Sequence, residues 1–163
     1  MQASVEKITT HAHHHMACSE RFLYPSIVAV AGVALWSCQA YSVKRARDKC
    51  GIHAPAVIGD EELERTLVNY QHTTEALPAI IPMTYVFSAL ICPKRALILG
   101  LGWVATRLAF SCSCICGGHK ENNCFKNLHM VVGHVSHFGL LFGSAYGVLE
   151  AVLKRCDHLK KCC

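Results

Sequence analysis

The chain has 163 residues, a formal net charge of +5 and a mean hydropathy of +0.28, with 52% hydrophobic and only 17% charged residues. A water-soluble domain of this length usually carries about a quarter of its residues as charges, so the shortage of charge points to a membrane. The cations sit at the ends of apolar runs rather than in one basic patch, which argues against nucleic acid as a partner. The 11 cysteines do not form an even framework in a small polar chain, and several lie within apolar runs, as Cys38, Cys92, Cys112 and Cys114 do, which argues against a secreted disulfide scaffold.

Residues 1–21 read as a polar head rich in histidine (His11, His13, His14, His15) with no clear structure of its own. The segment 22–41, "FLYPSIVAVAGVALWSCQAY", then runs without a charge into "KRARDK". It has no small-residue cleavage site, so it reads as a retained first helix rather than a signal peptide. The following loop turns through Gly51, Pro55 and Gly59 to the acidic "DEELE". Acids favour a helix N-terminus, so a second helix is expected to begin near Asp60 and to enter the apolar run 76–92, kinked at Pro78 and Pro82. After a tight turn at "CPKR", a third apolar run over 96–118 holds one charge, Arg107. A polar loop leads to a fourth run, 128–149, with the histidines His129, His134 and His137. The tail "KRCDHLKKCC" covers 154–163.

About 20 apolar residues span a bilayer as a helix. The expected fold is therefore all-α: an integral membrane four-helix bundle over residues 22–153, between the head and the tail. Lysine and arginine are divided almost evenly between the two sides, so the positive-inside rule leaves the orientation open.

Two features carry chemistry. At ~100° per residue, Arg65, Asn69, His72 and Glu75 fall within ~120° of arc on one helix face. A polar stripe at the membrane threshold must meet water, a partner helix or a ligand; the plain alternative is a solvated helix end. Second, Arg107 lies near the middle of an apolar helix, where an unpaired guanidinium costs about 3 kcal/mol. It calls for an anion, and Glu75 and Glu150 are the carboxylates in reach of the apolar segments.

Four short helices, the loop "ARDKCGI", the pair "ER" followed ten residues later by "E-x-x-P", the run "GLGWVATRLAF" and the ending "KKCC" together resemble the membrane-associated proteins in eicosanoid and glutathione metabolism. The likeness is strongest to their type 3 microsomal glutathione transferase branch and covers residues ~25–155. It implies a homotrimer in the endoplasmic reticulum or microsomal membrane, with the nuclear envelope or mitochondrial outer membrane as alternatives. It also implies glutathione as co-substrate and a lipophilic electrophile or lipid hydroperoxide as second substrate. Carried over residue by residue, the glutathione-binding set is Arg47, Arg65, Asn69, His72 and Glu75, and the thiol-activating set is Arg107 and Lys120. The match has gaps. Val68 stands where the family has an arginine, His72 where it has asparagine, and Phe110 and Cys114 where relatives have tyrosine. A second reading is therefore a non-catalytic relative that binds a lipid or presents it to a partner.

A third class, a metal-binding membrane protein, rests on "HAHHH" and on "CSCIC" (Cys112, Cys114, Cys116). Cys114 points away from the other two on a helix, which fits a tetrahedral site poorly, so no metal ligand is assigned. In the tail, Cys162 and Cys163 beside Lys160 and Lys161 suit S-acylation.

Overall fold

The computed structural model describes the backbone of residues 2–115 and 123–162 and the side chains of residues 19–112 and 131–157. Within these residues the chain is all-helical: α1 (Gln2–Cys50), α2 (Glu61–Leu90), α3 (Pro93–Ile115) and α4 (Asn123–Cys162). The helical backbone of α1 reaches back through the polar head, where no glycine or proline interrupts the sequence before Pro25. Likewise α4 carries on through the basic tail to Cys162.

The helix ends follow from local chemistry. α1 closes with Gly51 in the left-handed region (φ 68°), and the Ile52 amide bonds back to the Arg47 carbonyl at 3.3 Å. This 6→1 bond satisfies a terminal carbonyl that water would otherwise have to cover. The expected start of α2 is where the structure puts it. Asp60 is the N-cap in extended backbone, and its Oδ1 accepts from the Glu62 and Leu63 amides at 2.9 and 3.0 Å. Glu61, Glu62 and Glu64 fill the first turn against the helix dipole. Glu64 also accepts from the Gly59 amide at 3.1 Å. Pro93 opens α3, at a position whose amide has no helical partner in any case. The helix α2 runs on through Pro78 and Pro82.

In cross-section α2 and α3 pack on each other and on both outer helices, while among the described residues α1 and α4 make no contact with one another. The core is Ile80, Phe87, Ala96, Trp103 and Leu140, one cluster shared by α2, α3 and α4. Glycines let the helices approach closely. A Cβ on Gly143 of α4 would lie 2.1 Å from the Phe87 ring, and one on Gly100 of α3 would lie 2.6 Å from Val28. The outer faces of α1 and α4 leave large apolar side chains uncovered, among them Val30, Phe138 and Phe142.

Among the described residues, three helical segments, Ser19–Cys50, Pro93–Cys112 and Val131–Asp157, are long and apolar enough to cross a membrane. Four were expected from sequence. The missing one is α2, whose buried face is largely polar: Thr66, Asn69, Thr73, Thr84 and Ser88. Such residues lower its hydropathy while serving as hydrogen-bonding contacts between helices. The Ser88 hydroxyl donates to the Arg21 carbonyl at 2.7 Å, and that of Ser144 donates to the Met83 carbonyl at 2.9 Å.

Candidate functional site

Two cavities open where α1 and α2 meet the loop joining them, and they share one wall, Tyr70. The first, about 330 Å³, is lined by Lys44, Arg47, Asp48 and His53 together with Ala40, Val43, Ile52 and Ala54. The second is a groove of about 650 Å³ between the loop residues Val57 and Ile58 and the α2 residues Glu64, Leu67, Val68, Gln71, Thr74 and Glu75. These volumes lie in the range of small-molecule sites. The first cavity sets Lys44 and Arg47 beside one carboxylate, Asp48, among apolar residues, and the second presents two carboxylates on an apolar floor.

The shared wall is held rigidly. Trp36 of α1 stacks on Tyr70 with ring centroids 5.9 Å apart, and its indole N–H donates to Thr74 Oγ1 at 3.0 Å. Arg47 braces the loop, its Nη1 donating to the Ala56 carbonyl at 2.8 Å and more distantly to that of Ile52 at 3.5 Å. Lys49 and Glu62 form an ion pair at 2.5 Å across the same junction. The Asp60 carboxyl is held below its ordinary range because it accepts the Leu63 amide and then the Cys50 thiol proton. The site thus brings cations and carboxylates together a few residues apart.

No protein-family model matches the chain. Among curated proteins, a probable microsomal glutathione S-transferase of Dictyostelium discoideum is 44% identical over 133 residues, covering 82% of this chain and 89% of that protein. The chain belongs to the membrane-associated proteins in eicosanoid and glutathione metabolism. A more distant relative, an uncharacterized protein of Synechocystis, is 27% identical over 127 residues, or 78% of this chain and 89% of its own length.

Set against this family's motif positions, the side chains divide. The single polar face expected on α2 splits at Asn69. Glu75 and His72 are exposed, and Glu75 accepts from Gln71 Nε2 at 2.8 Å. Arg65 is exposed and pairs with Glu61 one turn earlier. Asn69 turns inward, 3% exposed, and its amide donates to Ser111 of α3 at 2.8 Å. The split arises because α3 packs on the side of α2 that carries Thr66, Asn69 and Thr73, so that side becomes core. Val68 is 51% exposed in the groove wall.

Arg107 lines neither cavity. Its guanidinium lies 5.8 Å from the Trp103 ring centroid, within electrostatic reach of His137. Neither Glu75 nor Glu150 pairs with it, because Glu75 lies with Gln71 and Glu150 pairs with Lys154 at 2.6 Å. Stacking on an indole face gives the cation part of the compensation that a carboxylate was expected to give. Lys120, Cys116 and Cys163 lie outside the described residues, and the side chains of Cys114, Cys162 and the histidines of the head lie outside the described side chains. Among the described residues no three His, Cys, Asp or Glu side chains gather as a metal site would require.

Sequence reasoning missed Lys44, His53, Tyr70 and Trp36, and used Glu64 only as part of the "ER" pair. Lys44 follows the first apolar run directly, and Trp36 and Tyr70 have the amphipathic rings that favour a membrane interface. Those were the available signals.

Proposed function

We propose that the protein is a membrane-bound glutathione transferase that conjugates glutathione to lipophilic electrophiles. The observation that carries this reading is the junction at Tyr70 of a cavity that holds Lys44 and Arg47 and a groove that holds Glu64 and Glu75. Glutathione offers two carboxylates, one ammonium and one thiol. Arg47, Lys44 and His53 match the carboxylates, and Glu64 and Glu75 match the ammonium. Arg65 and His72, exposed on the same stretch of α2, complete the set at its rim. Only the thiolate is nucleophilic, so a cation must favour that form; the family resemblance assigns this task to Arg107 and Lys120, of which Arg107 lines neither cavity within one chain. The thiolate sulfur attacks an electrophilic carbon, a C–S bond forms, and the displaced group leaves with the electron pair of its broken bond. With a lipid hydroperoxide, two glutathiones supply two electrons, giving glutathione disulfide, the lipid alcohol and water.

The same proposal sets the protein as a trimer in the endoplasmic reticulum membrane. There α2 crosses alongside the three apolar spans, with its polar residues turned into the bundle. One observation favours the second reading, a lipid-presenting relative: Val68 puts an uncharged side chain in the groove wall where the family carries an arginine.

Calorimetric titration of detergent-purified protein with glutathione, with thiolate absorbance recorded on the same sample, separates the two. Binding with a thiolate signal, weakened in Glu75→Gln, is the expected result. Absence of binding at millimolar glutathione refutes the transferase and supports the lipid-presenting reading.

A further inference from the structure

Away from both cavities, three polar side chains from three helices end on one another inside the bundle. Gln39 Nε2 of α1 donates to Ser111 Oγ of α3 at 2.7 Å, and Asn69 Nδ2 of α2 donates to the same oxygen at 2.8 Å. The Ser111 hydroxyl proton goes to the Arg107 carbonyl at 2.8 Å. A hydroxyl has one donor and two acceptor positions, so Ser111 is saturated. Both amides must therefore show it their NH₂ groups.

Their carbonyl oxygens are left over. Gln39 Oε1 and Asn69 Oδ1 are buried and have no hydrogen-bond partner, and each residue is 3% exposed. Turning the hydroxyl proton toward one amide does not cure this, because it can satisfy only one of the two oxygens. Buried polar atoms are almost always paired, and a helix bundle in a bilayer cannot relieve them with bulk water.

We infer that this cluster is an internal binding site for one water molecule, which donates its two protons to Gln39 Oε1 and Asn69 Oδ1. Two unmet acceptors match the two O–H bonds of water, and an internal water normally holds two to four polar partners. A hard metal cation asks for about six or more oxygens, and the cluster offers two. The bound water then ties α1 to α2 above the serine that ties both to α3. This three-helix tie sits one turn from Arg107, whose carbonyl Ser111 engages. The inference stands independently of the glutathione reading, since neither Gln39 nor Ser111 lines a cavity.

The test is a density map of the full chain in lipid nanodiscs, at a resolution that shows ordered water. A peak at about 2.7–3.0 Å from both oxygens is expected. An empty site, amides rotated to bond each other, or a peak with the short contacts and oxygen shell of a metal would each overturn it. A double-mutant cycle gives a second readout. Gln39→Leu and Asn69→Leu should together lower the apparent Tm by less than the sum of the single shifts. The coupling should persist in a Ser111→Ala background, where only the water still links the two amides. Additive shifts in that background overturn the proposal.

Discussion

Replacing Arg47 with glutamine tests whether one guanidinium can brace a loop and hold a ligand at once. Its Nη1 is engaged by the Ala56 carbonyl at 2.8 Å, with Ile52 too distant at 3.5 Å to add much. Nε and Nη2 are the donors left for a carboxylate in the cavity that Arg47 lines. A hydrogen bond to a charged group contributes about 1.5–3 kcal/mol. The loop is exposed, so the lower end applies with a further discount, to about 1 kcal/mol. In a chain of this size that lowers the midpoint by roughly 2–4 °C. The ligand contact is a charge-assisted pair in a cavity, for which the full ~1.5–3 kcal/mol applies, or roughly a 10–100-fold weaker glutathione Kd. Arg47→Lys keeps the charge without the fork and should recover part of the affinity but little of the loop bracing. Affinity is read by calorimetry and bracing by amide hydrogen exchange over residues 51–59. If Arg47→Gln loosens the loop and leaves the glutathione Kd unchanged, the residue is only a brace and the binding assignment is wrong.

The remaining expectations concern the scaffold. Gly143→Ala would drive a Cβ to 2.1 Å from a core phenylalanine, whereas Gly139→Ala meets Leu99 at an ordinary 3.5 Å. Overpacking costs about 1–3 kcal/mol, so Gly143→Ala should melt several degrees lower in a thermal-shift assay than Gly139→Ala; equal midpoints would mean that α2 and α4 are not packed as described. The Asp60 carboxyl titrates below its ordinary range, so its stabilising effect is present above the unfolded-state value and fades as pH falls through the folded one. The protection factors of the amides of residues 62 and 63, exchange corrected for its intrinsic pH dependence, should fall below about pH 4, and Asp60→Asn, which caps without titrating, should remove that fall.

The parts of this protein that were legible in its sequence are those whose cause is local. Asp60 was readable because a carboxylate before an acidic turn satisfies the amides two and three residues on. The spans of α1, α3 and α4 were readable because apolar length alone decides whether a helix can cross a bilayer. What failed depended on which neighbour a helix face meets. The stripe Arg65–Asn69–His72–Glu75 is continuous on a helical wheel, but α3 packs against one edge of it and takes Asn69 into the core. Arg107 called for an anion on charge alone, and only the fold shows Trp103 beneath it and Glu150 engaged with Lys154. The same logic explains α2. Its threonines, serine and asparagine look like a polar surface in one dimension, yet they are the bundle's interior, and the true solvent-facing chemistry gathers around Tyr70. A membrane bundle can invert the usual pattern in this way because lipid accepts apolar side chains outside, leaving the inside free for hydrogen bonds that tie one helix to the next. In such a protein a polar helix face marks either a site or a seam. Burial tells them apart: Asn69 at 3% exposure belongs to the seam, and Glu75, exposed on the groove, belongs to the proposed site.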